Sequence, residues 1–139
     1  MAAQDIRAAL LNPLAGFRQE PATLAGQAVI VREPSAADWQ FWRDTTRAWS
    51  GLPADASGDD VAAALKGLQG ADAPLFVRVI VDSAGARVFQ DDDANVLRDQ
   101  FGPEFSRLVA RSIALAGLNS PTPVADAKNA SPETPAGDS

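Results

Sequence analysis

Two short apolar segments, separated by a tryptophan-rich stretch, constrain the fold of this chain more than any other feature. Residues 28–32 form a β-branched run, and this composition predicts a strand. Residues 75–81 read Leu-Phe-Val-Arg-Val-Ile-Val. Their β-branched content favours a strand, but a continuous apolar run this short fits a buried helical turn equally well. Neither segment contains a catalytic constellation, and both are typical of packing elements in a small domain.

A capped helix is predicted directly after the first segment. Ser35 has an N-cap side chain, and Asp38 stands three residues later, where it can accept a hydrogen bond from the cap amide. Asp38 also meets the positive end of the helix dipole. Pro34 and Trp39 occupy the two hydrophobic positions that pack across a helix start. We therefore expect a helix from residue 36 to about residue 49.

The second segment runs into a turn and then into an acidic helix start. Asp82-Ser83-Ala84-Gly85 is typical of a tight turn, with Gly85 suited to positive φ. Residues 87–89, ending in Phe89, are interpreted as the return arm of a hairpin. Residues 90–93, ending in Asp93, place three acids in the first turn of the next helix, where the dipole favours them. That helix is expected to end at Gly102-Pro103.

The rest of the chain completes a mainly α, α+β architecture. We expect a compact bundle of about four to five helices with a small β element. A helix over 5–12 is expected to end at Pro13, and a loop should follow over 13–26. A second helix is predicted over 60–68, capped by Ser57 or Asp59 and stopped by Gly70. The last helix, over 104–118, is amphipathic, and its apolar face consists of Phe105, Leu108, Val109, Ser112, Ile113 and Ala116.

The composition changes after residue 118. Residues 119–139 are rich in Pro, Ala, Ser, Asp and Thr and contain no aromatic side chain. Such a segment cannot bury enough apolar area to offset the entropy of ordering it. We expect one globular domain over 1–118 and a disordered polar tail over 119–139.

The residue inventory argues against most enzyme classes. The chain has no cysteine, no histidine and no tyrosine. Zinc sites built on Cys and His, thiol nucleophiles and Ser-His or Cys-His relays are therefore excluded. Carboxylates, Lys, Arg, Ser and Thr would have to carry any chemistry. We expect no enzyme activity, no catalytic residue, no metal and no cofactor.

The charge pattern argues against nucleic acid as a partner. The net charge is -6, and the arginines are spread along the chain instead of being clustered. Nucleic-acid affinity comes largely from basic side chains that neutralise phosphates. No apolar run approaches the ~20 residues of a membrane span, and no signal peptide is recognisable. We expect a soluble, cytoplasmic protein that binds neither nucleic acid nor membrane.

Aromatic and basic side chains on the tryptophan-bearing helix are the first candidates for a binding surface. Trp39, Trp42 and Trp49 fall in one stripe, and Phe41 points away from it. The simplest interpretation is that the tryptophans fill the core and that Phe41 is partly exposed as an anchor for a partner. Arg43 and Arg47, one turn apart, with Arg32 nearby, form either a solvated face or a docking surface for an acidic partner.

Acidic and glycine-containing segments are the remaining candidates for ligand sites. An EF-hand calcium loop starting at Asp82 would need oxygen ligands or glycine where Ala84, Ala86 and Arg87 stand, so the sequence excludes a calcium site of this kind. Glu33 with Asp38, and Asp91 with Asp93, could in principle form acid/base pairs, but capping explains them more simply. Residues 67–70 lack the lysine and the spacing of a phosphate-binding loop.

The order of these elements resembles the tail assembly chaperones of phages with long, non-contractile tails. The resemblance covers residues 5–118. Two segments carry it: Val-Ile-Val-Arg-Glu-Pro-Ser-Ala-Ala-Asp-Trp, which leads into the tryptophan-rich helix, and Leu-Phe-Val-Arg-Val-Ile-Val-Asp. The pattern that follows consists of Asp82, Gly85, Val88, Phe89 and Asp93. The closing amphipathic helix and its polar tail complete the resemblance.

The resemblance implies a late viral protein that acts in virion morphogenesis in the host cytoplasm. Such a chaperone would bind and solubilise the tape measure protein, recruit tail tube subunits, self-associate along its client and be absent from the mature virion. A groove between the tryptophan-bearing helix and the last helix would take client helices, with contacts from Trp39, Phe41, Trp42, Arg43, Arg47 and Phe105. The alternatives are a small structural virion or head-tail connector protein, and a small hydrolase using carboxylates.

Overall fold

The computed structural model describes residues 2–68 and 70–117. These residues form six helices and three strands. In chain order the elements are α1 (Ala3–Leu10), β1 (Gln19–Leu24), β2 (Gln27–Arg32), α2 (Ala36–Ser50), α3 (Gly58–Leu65), α4 (Ala73–Val79), β3 (Ile80–Val81), α5 (Asp93–Leu97) and α6 (Pro103–Leu115). The α+β prediction is confirmed. The tail predicted over 119–139 and the last residue of the predicted final helix lie outside the described residues.

The strands form one small antiparallel sheet in the order β1-β2-β3. The strand predicted over 28–32 is the central one. The loop prediction over 13–26 is wrong, because residues 19–24 pair with β2 as an edge strand. Pro21 obscured this strand in the sequence, since proline is compatible with a sheet chiefly at its edge. A two-residue turn at Ala25-Gly26, both with positive φ, closes the hairpin.

The sequence is compatible with either a strand or a helix over residues 75–81, and the structure contains both, one after the other. Helix α4 ends at Val79, and the next two residues form β3, which pairs with Ile30 and Val31. Six of the seven residues of α4 are buried, and the side chain of Phe76 is completely enclosed. Burial from every side explains why the run lacks the periodicity of an amphipathic helix.

Helix α4 occupies the middle of the molecule. It packs against α2, α5 and α6, while α6 also covers β1 and β2. The predicted apolar face of α6 is confirmed, since Leu108, Val109 and Ser112 are buried and Phe105 and Ile113 pack at the edge of the core.

Three predicted helices are shorter in the structure, and the last of them, α6, ends at Leu115 instead of residue 118. Helix α3 is capped by Ser57 and ends at Leu65, so Gly70 does not stop it. Gly70 instead packs so closely on the backbone of Arg98 that any Cβ there would overlap it. The helix expected to end at Gly102 is limited to α5, which ends at Leu97. The chain leaves the helical path there because the side chain of Phe101, which is 2% exposed, inserts into the core.

The turn after β3 has the predicted form. Gly85 has φ +87°, and the Asp82 carboxylate accepts hydrogen bonds from the backbone N–H groups of Ala84 and Ala86 at 2.9 and 3.0 Å. The return arm is reduced to one bridge between Val81 and Arg87 and one hydrogen bond from the Val88 N–H to the Ile80 carbonyl.

Candidate functional site

Asp38, one of the candidate acids, lies at the buried centre of an ion-pair network. It is 2% exposed, and its Oδ2 accepts hydrogen bonds from Arg32 Nη1 and from the Ser35 N–H, both at 2.8 Å. Ser35 Oγ accepts from the Asp38 N–H at 3.1 Å, which completes the capping box. Arg78 Nη1 stands 3.6 Å from the other carboxylate oxygen. These contacts join β2, α2 and α4, so Asp38 has a structural environment and is not open to a substrate.

Arg32 belongs to this network and not to a surface with Arg43 and Arg47. It is 9% exposed, and it donates to the Arg78 carbonyl at 2.9 Å as well as to Asp38. Its own carbonyl accepts from Ser112 Oγ at 2.6 Å. The grouping of three arginines suggested by the sequence is therefore wrong for Arg32, because its guanidinium faces the interior.

Asp91 and Asp93 do not form an acid/base pair either. Asp93 Oδ2 accepts a hydrogen bond from the Gln90 N–H at 2.8 Å, at the start of α5. Asp91 is held by Arg78 at 2.9 Å and by Arg87 at 2.8 Å. Burial acts to raise the pKa of Asp91, but the hydrogen bonds from Arg87 and Arg78 outweigh it and hold that pKa below its ordinary value.

The aromatic side chains of α2 rim the core instead of filling it. All four are half-buried, whereas the most buried side chains of this helix are those of Asp38 and Thr46. Cations cover two of the rings, with Arg78 4.4 Å above Phe41 and Arg98 4.5 Å above Trp49. The prediction that the tryptophans occupy the core needs this correction.

Phe105 lies in a different part of the molecule from the α2 candidates. Its ring stacks on Phe76 with centroids 4.7 Å apart, and Phe89 and Phe101 also pack on Phe76. Helix α4 contacts both α2 and α6, whereas α2 and α6 do not pack closely on each other within the described residues. A groove between the tryptophan-bearing helix and the last helix would therefore have to pass over α4, which contacts both.

Three of the six candidates do come together, on the other side of α2. Trp42, Arg43 and Arg47 line a groove of about 300 Å³ between α2 and α3, and a shallower apolar depression adjoins it beside Trp42. We call this continuous surface the α2–α3 groove. Its apolar floor and its cationic edge are formed by Trp42, Val61, Ala62, Leu65, Arg43, Arg47 and Lys66.

The cations at the edge of the α2–α3 groove form no ion pair within the described residues. Arg43 donates to Gln40 Oε1 at 3.1 Å, and Arg47 donates to the carbonyls of Ala54 and Ala56 at 3.3 and 2.8 Å. Within residues 2–68 and 70–117, neither arginine nor Lys66 is paired with a carboxylate. Asp44, the acid at this edge, accepts from Gln40 Nε2 at 2.7 Å.

Sequence reasoning missed the α3 half of this groove. Val61, Ala62 and Leu65 follow the i, i+1, i+4 spacing of a helical face, with Lys66 at its end. That spacing was the available signal, but it does not show which helix α3 packs against.

The described part of the chain offers little for a cofactor. It contains no cluster of three or more Asp or Glu side chains arranged to hold a metal ion. None of its helices is both long enough and apolar enough to cross a membrane.

Comparisons with known proteins agree with this picture. Residues 5–131 match the phage tail assembly chaperone family. Among solved structures the chain is similar to the bacteriophage HK97 tail assembly chaperone, with a TM-score of 0.60 and 26% sequence identity over 82% of this chain and 99% of that chain. No curated protein matches the sequence significantly.

The family match covers most of the chain, and the matching solved structure carries the same family description. The role that this family name describes is assembly, which is non-enzymatic. The resemblance inferred from the sequence is therefore confirmed, and this chain belongs to the phage tail assembly chaperone family.

Proposed function

We propose that this protein binds the phage tape measure protein in the host cytoplasm, keeps it soluble, recruits tail tube subunits and is absent from the mature virion. The α2–α3 groove is the proposed client site. The single observation that carries this assignment is an apolar floor next to three cations that have no carboxylate partner within the described residues.

The groove has the chemistry to take an amphipathic helix. An amphipathic helix docks by placing apolar side chains at i, i+3 or i+4 spacing into an apolar groove. Trp42, Val61 and Leu65 supply the apolar contact, and Arg43 and Lys66 would meet acidic side chains that flank the client's apolar stripe. Since the whole chain carries a net charge of -6, this basic edge is a local feature that selects where an acidic helix lands.

A long client makes a modest site sufficient. The groove is open and shallow, so one contact is expected to be weak. Many copies bound along one extended helical chain would cover its apolar surface without any single tight complex. Proteins tethered to one polymer gain effective concentration from one another, which raises overall occupancy well above that of an isolated contact.

The test is co-expression with the tape measure protein encoded in the same genome. We expect the wild-type chaperone to move that protein into the soluble fraction. Ala62→Glu should abolish this effect, because its side chain fills the groove and sets a carboxylate beside Arg43 and Lys66. Ala64→Glu is the matched control, since Ala64 is an exposed residue of the same helix that does not line the groove.

Two results would contradict the proposal. One is a tape measure protein whose solubility does not change when the wild-type chaperone is present. The other is full activity of the Ala62→Glu protein. Mass spectrometry of purified virions separates the chaperone from the alternative of a structural virion or head-tail connector protein, because only the latter remains in the particle.

A further inference from the structure

The wall of the α2–α3 groove combines a fixed aromatic ring with positive charge. Trp42 lines both parts of the groove, and its indole N–H donates to the Ala71 carbonyl at 3.0 Å, which holds the ring in place. Arg43 and Lys66 at the edge are exposed. Aromatic-lined grooves are the sites at which proline-rich segments dock, because an extended proline segment is already ordered and loses little entropy on binding. An aromatic groove with a cationic edge suits a ligand that combines prolines with a carboxylate.

The chain itself contains such a ligand beyond its described residues. Pro132-Glu133-Thr134-Pro135 has the Pro-x-x-Pro spacing that aromatic-lined grooves recognise, and no other two prolines of the sequence have it. We call these four residues the Pro-x-x-Pro segment. Residues 118–139 contain three acids, Asp126, Glu133 and Asp138, and one base, Lys128. Their excess of negative charge complements the cationic edge of the groove.

The chain is long enough to bring this segment to the groove. Fifteen residues lead from Gly117, the last described residue, to Pro132. Fully extended, they span about 50 Å. A domain of about 100 residues has a radius of gyration of about 13 Å, which corresponds to a diameter of about 35 Å. Helix α6 packs on α4, and α4 packs on α2, so the groove lies within this reach.

We propose that the Pro-x-x-Pro segment occupies the α2–α3 groove of its own molecule, with a proline ring against Trp42 and the Glu133 carboxylate at the cationic edge. A short tether gives an effective concentration on the order of millimolar. Even a contact with a millimolar dissociation constant would therefore fill the groove for about half of the time. At micromolar protein concentrations the same tether favours this segment over that of a second copy.

The segment competes with every other ligand of the groove. In the absence of a client it covers the apolar floor with polar chain, and a client helix has to displace it. The regulation of client binding by this competition rests on the function proposed above, whereas the occupancy of the groove by the segment does not.

Nuclear magnetic resonance of the full-length protein provides the reporter. The indole N–H signal of Trp42 responds to a ligand in the groove, because its ring forms part of the wall. Trp39 and Trp49 do not line the groove, so their indole signals serve as internal references. The spectra are recorded over a series of protein concentrations, because an intramolecular contact gives the same signal at every concentration.

The first experiment changes the segment and leaves the domain untouched. Pro132→Ala/Pro135→Ala removes the proline rings, and Glu133→Lys reverses the charge that meets the cationic edge. Each variant should shift the Trp42 signal toward its position in the empty groove, while the reference signals stay in place. Pro121→Ala/Pro123→Ala is the matched control, because it removes two prolines of the same part of the chain that lack the Pro-x-x-Pro spacing.

The second experiment measures competition with a synthetic peptide of residues 128–139. The peptide should bind Pro132→Ala/Pro135→Ala at least about twofold more tightly than it binds the wild type, because the wild-type groove is occupied for half of the time or more. Adding Ala62→Glu to this variant should abolish peptide binding, because a carboxylate then stands in the groove. Adding Ala64→Glu, which places the same charge on an exposed position outside the groove, should not.

Three results would overturn the proposal. The first is a Trp42 signal that is identical in the wild type and in both segment variants. The second is equal affinity of the peptide for the wild type and the double proline variant. The third is a Trp42 shift that grows with protein concentration, which would place the segment in the groove of a second copy. The client is absent from both experiments, so these results would leave the tape measure assignment untouched.

Discussion

Helices α4 and α1 are both short and both rich in apolar side chains, yet their environments are opposite. Six of the seven residues of α4 are buried, and none of the eight residues of α1 is. Helix α4 touches α2, α5, α6 and β3, while the large side chains of α1 face outward. The comparison shows that apolar content alone does not determine burial in a short helix. In α4 these side chains stabilise the fold, and in α1 they remain exposed to solvent.

The largest expected effect is on α4. Phe76→Ala should lower the free energy of unfolding by about 3–5 kcal/mol, because it removes a fully enclosed ring and leaves a cavity beside three other phenylalanines. Leu10→Ala on α1 is the counterpart, with an expected change within about 0.5 kcal/mol. Urea denaturation of both variants measures the difference. Similar losses would mean that α1 is as integral to the fold as α4.

The sequence predicted the parts of the molecule in which local chemistry decides the structure. The capping box of Ser35 and Asp38, the central strand and the turn at Gly85 all depend on residues close together in the chain. Long-range packing decided the rest. Phe101 leaves its predicted helix to enter the core. The close approach of Gly70 to the backbone of Arg98 joins residues far apart in the chain, so the sequence alone did not predict it.

The candidate site was predictable only in half. Trp42, Arg43 and Arg47 lie on one helix, so their proximity follows from helical spacing. The identity of the facing helix does not. Whether α3 or α6 lies beside α2 depends on where α4 packs, and the β-branched composition of α4 concealed that it was a helix at all. Phe105 lies on α6 and stacks on Phe76 of α4, a long-range contact that helical spacing does not predict.

An intermediate effect is expected where α4 is tied to α2. Asp38→Asn should cost about 3 kcal/mol, because it removes a buried charge that neutralises Arg32 and neighbours Arg78. Asp44→Asn, on the exposed side of the same helix, should change stability by no more than about 0.5 kcal/mol. Thermal and urea unfolding test both. Equal effects would show that the network contributes no more to holding α4 in place than an exposed hydrogen bond does.

The smallest effect lies where the same network reaches the surface, at Asp91. Burial acts to raise its pKa, and the hydrogen bonds from Arg87 and Arg78 lower it further than burial raises it, so the folded-state pKa lies below the ordinary 3.8. A carboxylate with a depressed folded-state pKa stabilises the protein when ionised. Its contribution is complete above the unfolded-state pKa and is lost as the pH falls through the folded-state value. Because the Asp91 side chain is 41% exposed, solvent screening keeps this contribution small.

Urea denaturation of wild type and Asp91→Asn at a series of pH values isolates that contribution. The two unfolding free energies should differ most at neutral pH and converge below about pH 4 as Asp91 becomes protonated. A difference that persists unchanged into strong acid would show that Asp91 acts through its shape or neutral hydrogen bonds. The Arg78 side chain would then stabilise the position of α4 through its contacts with Asp38 and Phe41, and its ion pair with Asp91 would contribute nothing measurable.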